Sequence, residues 1–153
     1  MNSLHKSHRK GIVFLLVAFA LVASMSISAL AILNSCQGKE MQFNGGGTRY
    51  YGTTGTVYVE TTIGAFAGNT MRTIDGLNVS TSCLGTMAVL CDTSGNIVLG
   101  SPMSYNSAPA NTITTVSNYW TVRGTYNAQG CGDFWNGNGY SSGISPRTLN
   151  LTY

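Results

Sequence analysis

Hydrophobic and polar side chains alternate with a period of two through much of the chain after residue 33, as in β-strands with one buried face. In residues 56–63 (TVYVETTI), Val57 and Val59 share the predicted inner face. The longest alternation covers residues 77–91, where most apolar side chains occupy odd-numbered positions and are expected to face the core. This segment is predicted to be the longest strand of the fold.

Turn residues divide the rest of the chain into short strands. Turns are predicted at residues 75–76 (DG), 92–95 (DTSG) and 136–137 (NG). Residues 64–70 (GAFAGNT) are expected to interrupt the strands, and Gly85 is a candidate position for a bulge that would shift the register. The other strand candidates are residues 71–74, 97–99, 112–116, 119–123, 125–135 and 149–153.

These segments predict six to eight short strands, and no segment after residue 33 shows helical spacing with caps. The predicted fold is therefore all-β: an antiparallel β-sandwich that follows an N-terminal hydrophobic helix. A small β-barrel is the alternative.

The N-terminus has the pattern of an export signal. Residues 1–10 hold three cations and no acid, and residues 11–33 hold no charge. Small residues at 29 and 31 predict cleavage after Ala31, which makes residues 1–31 a signal peptide. Two alternatives are an uncleaved membrane anchor at residues 11–33, or a lipoprotein signal in which residues 33–36 (LNSC) lead to a lipidated Cys36. All three place the remaining chain outside the cytoplasmic membrane, either secreted or anchored to its outer face.

A Gly-rich lead-in segment, residues 32–55, separates this signal from the predicted sandwich domain at residues 56–153. Its glycine run at residues 44–47 (NGGG) is either a flexible tether or a tight turn between two short strands. In both cases the folded body is expected to begin near Tyr50.

The net charge of +3 belongs entirely to Lys6, Arg9 and Lys10. Eight Lys and Arg less these three leaves five cations, which balance the five acids of the remaining chain. This balance offers no electrostatic attraction to nucleic acid or anionic lipid, so membrane contact is expected only through the N-terminal segment. Charged residues make up 8% of the chain, against about 25% in typical soluble domains, and this favours a surface or secreted protein.

All four cysteines, Cys36, Cys83, Cys91 and Cys131, follow the apolar segment, and an even number in an exported chain predicts disulfide bonds. On one unbroken strand Cys83 and Cys91 would lie about 26 Å apart, beyond the roughly 7 Å that bonded Cα atoms allow. Two pairings remain: 36–83 with 91–131, which is favoured, and 36–91 with 83–131.

Several kinds of chemistry are excluded by composition. The only histidines, His5 and His8, lie in the predicted signal peptide. The exported body therefore has no imidazole for Ser-His-Asp or Cys-His catalysis, or for zinc sites with His ligands. Among its five acids only Asp133 has aromatic neighbours in sequence, so a catalytic carboxylate pair is not expected. We predict no enzymatic activity, no cofactor and no metal site.

Aromatic residues are concentrated in the last third of the chain. Flat side chains on the face of a β-sandwich are suited to sugar rings, which makes Trp120, Trp135 and Tyr140 the candidate ligand-binding residues. The alternative is that Trp120 and Phe134 fill the core while the tyrosines cover its rim with their hydroxyls in water.

The order of an alternating strand, a DTSGNIV hairpin, a strand with GTYNAQG and a WNGNGY hairpin resembles small exported single-domain β-sandwich proteins of Gram-positive bacteria. The likeness covers residues 56–141 and consists of turn motifs. Such proteins mostly have no assigned activity, so the resemblance implies a location and a fold, and no functional residue is transferred by it.

The sequence thus predicts an exported, disulfide-stapled β-sandwich that acts at or outside the cell surface by binding or by a structural role. Its partner would be a cell-envelope glycan or another surface protein. Two further hypotheses are a carbohydrate-binding module that uses surface aromatics and a secreted antibacterial protein.

Overall fold

The computed structural model describes residues 33–153. The predicted signal peptide, its cleavage site and the hydrophobic helix lie outside the described residues. The described chain contains eleven strands: β1 Leu33–Gln37, β2 Met41–Asn44, β3 Tyr50–Glu60, β4 Gly64–Thr73, β5 Leu84–Asp92, β6 Ile97–Gly100, β7 Ser104–Tyr105, β8 Thr112–Val116, β9 Thr125–Trp135, β10 Tyr140–Ile144 and β11 Leu151–Thr152.

The strands form two antiparallel sheets. The first has the order β1-β3-β4-β8, with β2 also paired to β3, and the second has the order β10-β9-β5-β6, with β11 on β9 and β7 on β5. The central strands β3 and β4 pack on β5 and β9, so the predicted β-sandwich is confirmed. Neither sheet closes on itself within residues 33–153, which excludes the small-barrel alternative for this part of the chain. No helix in the same range is long and apolar enough to cross a membrane.

The lead-in segment belongs to the first sheet. Residues 33–55 supply β1, β2 and the first half of β3, so the folded body begins well before Tyr50. The glycine run is a turn between paired strands, because Asn44 lies opposite Tyr50 and Gly46 and Gly47 have φ values of 108° and 76°. The tether alternative is therefore wrong.

β4 runs through residues 64–70, where the sequence predicted an interruption between strands. The glycines that suggested a break serve close packing: a side chain at Gly68 would meet the Tyr58 ring at 2.9 Å, and one at Gly64 would meet the Trp120 carbonyl oxygen at 2.6 Å. β4 is central in its sheet, between β3 and β8.

β5 is shorter than the alternation of residues 77–91 predicted. Residues 77–83 form no strand, although Val79 makes an isolated bridge to Ala110. The inner face of β5 carries the even-numbered Ala88 and Leu90, which contradicts the predicted odd-numbered core face. Sequence alternation could not decide between the faces because Cys91, on the outer side, is also only 1% exposed.

No bulge occurs at the candidate position, Gly85. The pairing of β5 with β9 continues through Gly85 without a shift. The irregularity lies between Leu90 and Cys91, where β5 pairs with β6. At the predicted DTSG turn, Gly95 has a φ of 91°.

The strands in the last third follow the sequence pattern more closely. β8 and β9 coincide with the predicted segments 112–116 and 125–135, and Gly137 in the predicted NG hairpin has a φ of 95°. Residues 119–123 form no strand, because only Trp120 pairs there, with the backbone of Ala65.

The space between the sheets holds two apolar clusters. Most members of both are almost fully buried, and each buried Val or Leu contributes about 1.5–3 kcal/mol. The first cluster contains Val57, Val59, Ala65, Ala67, Ala88, Leu90, Tyr126 and Ala128. The second contains Tyr51, Met71, Val79 and Leu84.

A buried polar layer lies in the core with these clusters, formed by Thr53, Asn69, Thr86 and Ser145. Asn69 on β4 accepts a hydrogen bond from the Thr53 hydroxyl at 3.0 Å. Its amide nitrogen donates across the core to Thr86 Oγ1 at 3.0 Å and to the Cys131 carbonyl at 2.8 Å. One side chain therefore ties the first sheet to two strands of the second.

Glycines bring the sheets close together at this layer. A side chain at Gly130 would overlap Asn69 Oδ1, and one at Gly55 would meet the Gly130 nitrogen at 2.7 Å. Ser145 completes the layer, because its hydroxyl oxygen accepts from the Gly130 amide at 2.8 Å and the Gly55 amide at 3.2 Å. These short distances leave room only for glycine at both positions.

Ser145 illustrates an arrangement that recurs at four positions along inner strands. In each case a buried Ser or Thr donates its backbone N–H to the carbonyl of a residue on an inner strand, and its hydroxyl oxygen accepts from the same residue's N–H. The hydroxyl then donates to the next carbonyl along the chain. The four pairs are Ser101 with Ala88, Ser117 with Ala67, Ser145 with Gly130, and Thr148 with Ala128.

Replacing Asn69 with Ala should lower the free energy of unfolding by about 2–3 kcal/mol, because several buried polar groups lose their partner. Urea denaturation should show this loss as a lower midpoint, while the slope of unfolding free energy against urea concentration stays unchanged. The matched control is Asn118→Ala, whose exposed side chain should contribute within about 0.5 kcal/mol. Equal midpoints for both variants would contradict the role given to Asn69.

Replacing Ser145 with Ala should cost about 1–3 kcal/mol, since the Gly55 and Gly130 amides would stay buried without their shared acceptor. Thermal unfolding would report the loss. Ser142→Ala, on the exposed side of β10, serves as the control and should leave the midpoint nearly unchanged. A Ser145→Ala protein as stable as this control would show that the amides find other acceptors.

Candidate functional site

Three aromatic side chains lie together on the outer face of the second sheet, where the Tyr140 ring contacts the other two. Trp135 and Tyr140 are cross-strand neighbours on β9 and β10, with ring centroids 5.0 Å apart. Tyr105 on β7 adds a third ring, 5.2 Å from that of Tyr140. Their exposed fractions are 38% for Tyr105, 39% for Trp135 and 45% for Tyr140, so each keeps a large surface in solvent. We refer to these three residues as the aromatic patch.

The backbone beneath the patch explains its position. Gly85 on β5 pairs with Tyr105 on one side and Asp133 on the other. A side chain at Gly85 would lie 2.7 Å from the Tyr105 ring, so the absence of one lets the ring lie flat on the sheet. The Tyr140 hydroxyl donates to the Ser82 carbonyl at 3.4 Å, and Ser82 has a left-handed backbone with a φ of 61°.

Asp133 brings a negative charge close to these rings. It is partly buried on β9, two residues from Trp135, and lies on the same face of the strand. Burial raises the pKa of the Tyr105 hydroxyl, and Tyr140 and Asp133 raise it further. The phenol therefore stays protonated at neutral pH and can donate a hydrogen bond.

An open cleft adjoins the patch at Trp135. It has a volume of about 560 Å³ and is lined by Gly46, Gly47, Arg49, Tyr51, Phe134, Trp135 and Asn136. Phe134 and Tyr51 stack with centroids 4.0 Å apart and close its inner end. Arg49 is paired with Asp75 at 2.8 Å, so the cleft has a polar rim without excess charge from this pair.

Trp120 does not belong to this site. It pairs with Ala65 and packs on the first apolar cluster, whereas Phe134, next to Trp135, packs on the second. Its indole nitrogen donates to the Tyr126 hydroxyl at 3.1 Å, which gives it a structural partner. Of the three predicted ligand-binding residues, the structure brings together only Trp135 and Tyr140.

Tyr105 was missed by sequence reasoning. It lies 30 positions before Trp135 in a two-residue strand, and nothing local distinguishes it from a loop tyrosine. Only the pairing of β7 with β5 places it beside the others. The opposite sheet has its own outer aromatic group, in which Tyr58 stacks on Phe66 at 4.7 Å and Tyr119 approaches Phe66 edge-on at 4.9 Å.

The four cysteines are free in the described structure, so neither predicted set of disulfides is present. Cys91 lies opposite Asn127, which is four residues, or about 13 Å, along β9 from Cys131. Cys83 lies beside Trp135, again four residues, or about 13 Å, from Cys131.

Cys36 is likewise not bonded to another cysteine. It lies opposite Val57 and packs on the first cluster, whereas Cys83 packs on the second. Cys91 lies on the outer face of the other sheet. Neither pairing that the sequence left open is present in the described residues, where strand register separates the thiols.

No group of three or more His, Cys, Asp or Glu within residues 33–153 is arranged to hold a metal ion. No protein-family model, characterised protein or solved structure matches this chain. The arrangement of the site is therefore the basis for any functional inference.

Four thiols per chain should react with a chromogenic thiol reagent after denaturation without reductant. In the native protein Cys91 should react most slowly, because it is 1% exposed and burial raises the pKa of its thiol. A sample reduced before denaturation is the control and should give the same total. Two or fewer reactive thiols in the unreduced sample would mean that the protein forms bonds absent from this fold.

Proposed function

We propose that this chain is an exported β-sandwich domain that binds a glycan at or outside the cell surface, without catalysis. The observation that supports the proposal best is the aromatic patch, in which Tyr105, Trp135 and Tyr140 present contacting and partly exposed rings on one sheet face. Sugar rings have flat apolar faces and hydroxyl edges. Aromatic rings with polar tips and polar neighbours match both features.

The surroundings of the patch favour a sugar over a protein surface. Its neighbours include the Asp133 carboxylate, the amide of Asn136 and the exposed Ser142. A site for a protein partner normally has an apolar centre from which charged groups are depleted. A glycan needs acceptors and donors beside the stacked ring, and those groups are present here.

Export is supported by the N-terminal pattern and is compatible with the fold. β1 begins at Leu33, so cleavage after Ala31 would leave both sheets complete. A lipoprotein signal would instead remove residues 33–35, which pair with β3. The free cysteines give no support to export, and the proposal rests on the charge and hydrophobicity of residues 1–33.

The test is a glycan array with the mature chain, followed by titration of the best sugar. Trp135→Ala and Tyr140→Ala should each weaken binding about tenfold, because each removes a stacking ring. Tyr119→Ala is the matched control: it removes a tyrosine of similar exposure, 44%, from the other sheet. It should bind as the wild type does.

Two results would overturn the proposal. One is an array without any bound glycan. The other is equal loss of affinity in the Tyr119 and Trp135 variants, which would show that the patch is not the site. Melting temperatures measured on the same samples separate lost binding from lost folding.

A further inference from the structure

The charge beside the aromatic patch is unbalanced. Within residues 33–153 only two salt bridges form, Arg49 with Asp75 and Arg72 with Glu40, and neither involves Asp133. Asp133 nevertheless lies close enough to Tyr105 to raise the pKa of its hydroxyl. The patch thus lies beside one carboxylate that forms no salt bridge within the described residues.

The cations of the described residues are all engaged or placed elsewhere. Arg123 stacks over the Tyr153 ring at 4.9 Å. Arg147 donates to the Gly95 carbonyl at 3.1 Å and, with Lys39, lines a different cleft. No side chain of this region therefore neutralises Asp133, and a ligand can do so.

Two interactions at the patch favour a positive charge. A carboxylate attracts an ammonium group directly, and partial burial reduces the screening of that attraction by solvent. The faces of Trp and Tyr rings attract cations through their quadrupoles within about 6 Å. Both effects act at the same place, because Asp133 and Trp135 lie on the same face of one strand.

We infer that the glycan is one that carries free amino groups, such as a hexosamine polymer without its acetyl groups. This inference rests on the proposed function, since it specifies the sugar bound at the same patch. A sugar ring stacks on Trp135 and Tyr140, and its ammonium group pairs with the Asp133 carboxylate. Acidic sugars are disfavoured by the same carboxylate.

The experiment compares two probes of equal length by calorimetry: an oligomer of glucosamine and an oligomer of N-acetylglucosamine. At a mildly acidic pH, where the amines are protonated, the wild type should bind the amine form about tenfold more tightly. The preference should shrink as salt is added, because the ion pair is partly exposed.

Asp133→Asn keeps the shape of the side chain and removes its charge. It should reduce the preference to about twofold or less, because the variant loses much more affinity for the amine form than for the acetylated oligomer. Glu60→Gln is the matched control, since Glu60 also lies beside a tyrosine, accepting from the Tyr119 hydroxyl at 2.8 Å on the other sheet. The control should keep the full preference.

The outcomes separate this inference from the proposed function. Equal binding of the two oligomers, or an unchanged preference in Asp133→Asn, overturns the amino-sugar inference while glycan binding stands. Binding of neither oligomer overturns this inference, and the full array then decides whether any glycan is bound. A preference for the amine form that Trp135→Ala leaves intact would place the ammonium site away from the patch and also overturn it.

Discussion

The two sheets depend on a polar contact at a place where a β-sandwich usually has apolar side chains. Asn69 satisfies Thr53 in its own sheet and Thr86 and the Cys131 carbonyl in the other. These hydrogen bonds fix the position of one sheet relative to the other, since a shift of one residue would leave buried polar groups without partners. The apolar clusters contribute more energy, but apolar packing alone allows several relative positions of the sheets.

Much of the fold could be predicted from local sequence. The predictions that failed concern features that depend on contacts with other strands. Turns such as Gly95 and Gly137 were predictable because a positive φ limits the choice of residue. The face of β5 was not, because both of its sides are buried and its alternation gives no contrast. β4 was missed because its glycines resemble a break, and only the Tyr58 ring and the Trp120 backbone explain them.

Only the part of the candidate site that lies on a single hairpin could be predicted from the sequence. Trp135 and Tyr140 flank a recognisable hairpin, so their proximity follows from the turn. Tyr105 joins them through a two-residue strand, and Trp120 departs from them through a single bridge to Ala65. The cysteines fail for the same reason: their count suggested bonds, whereas register, which pairing across the sheet determines, keeps them apart.

The four positions at which a Ser or Thr hydroxyl completes the pairing of an inner-strand residue give the fold freedom in its loops. At each position, one Ser or Thr completes both backbone hydrogen bonds of a residue on an inner strand. The neighbouring strand therefore does not have to extend beyond that position. The chain after Ser101 or Ser117 can then leave the sheet in any direction. Related chains could therefore differ greatly in the length of these connections and keep the same two sheets. One hydroxyl accepts the backbone hydrogen bond that the carbonyl of a longer neighbouring strand would otherwise accept.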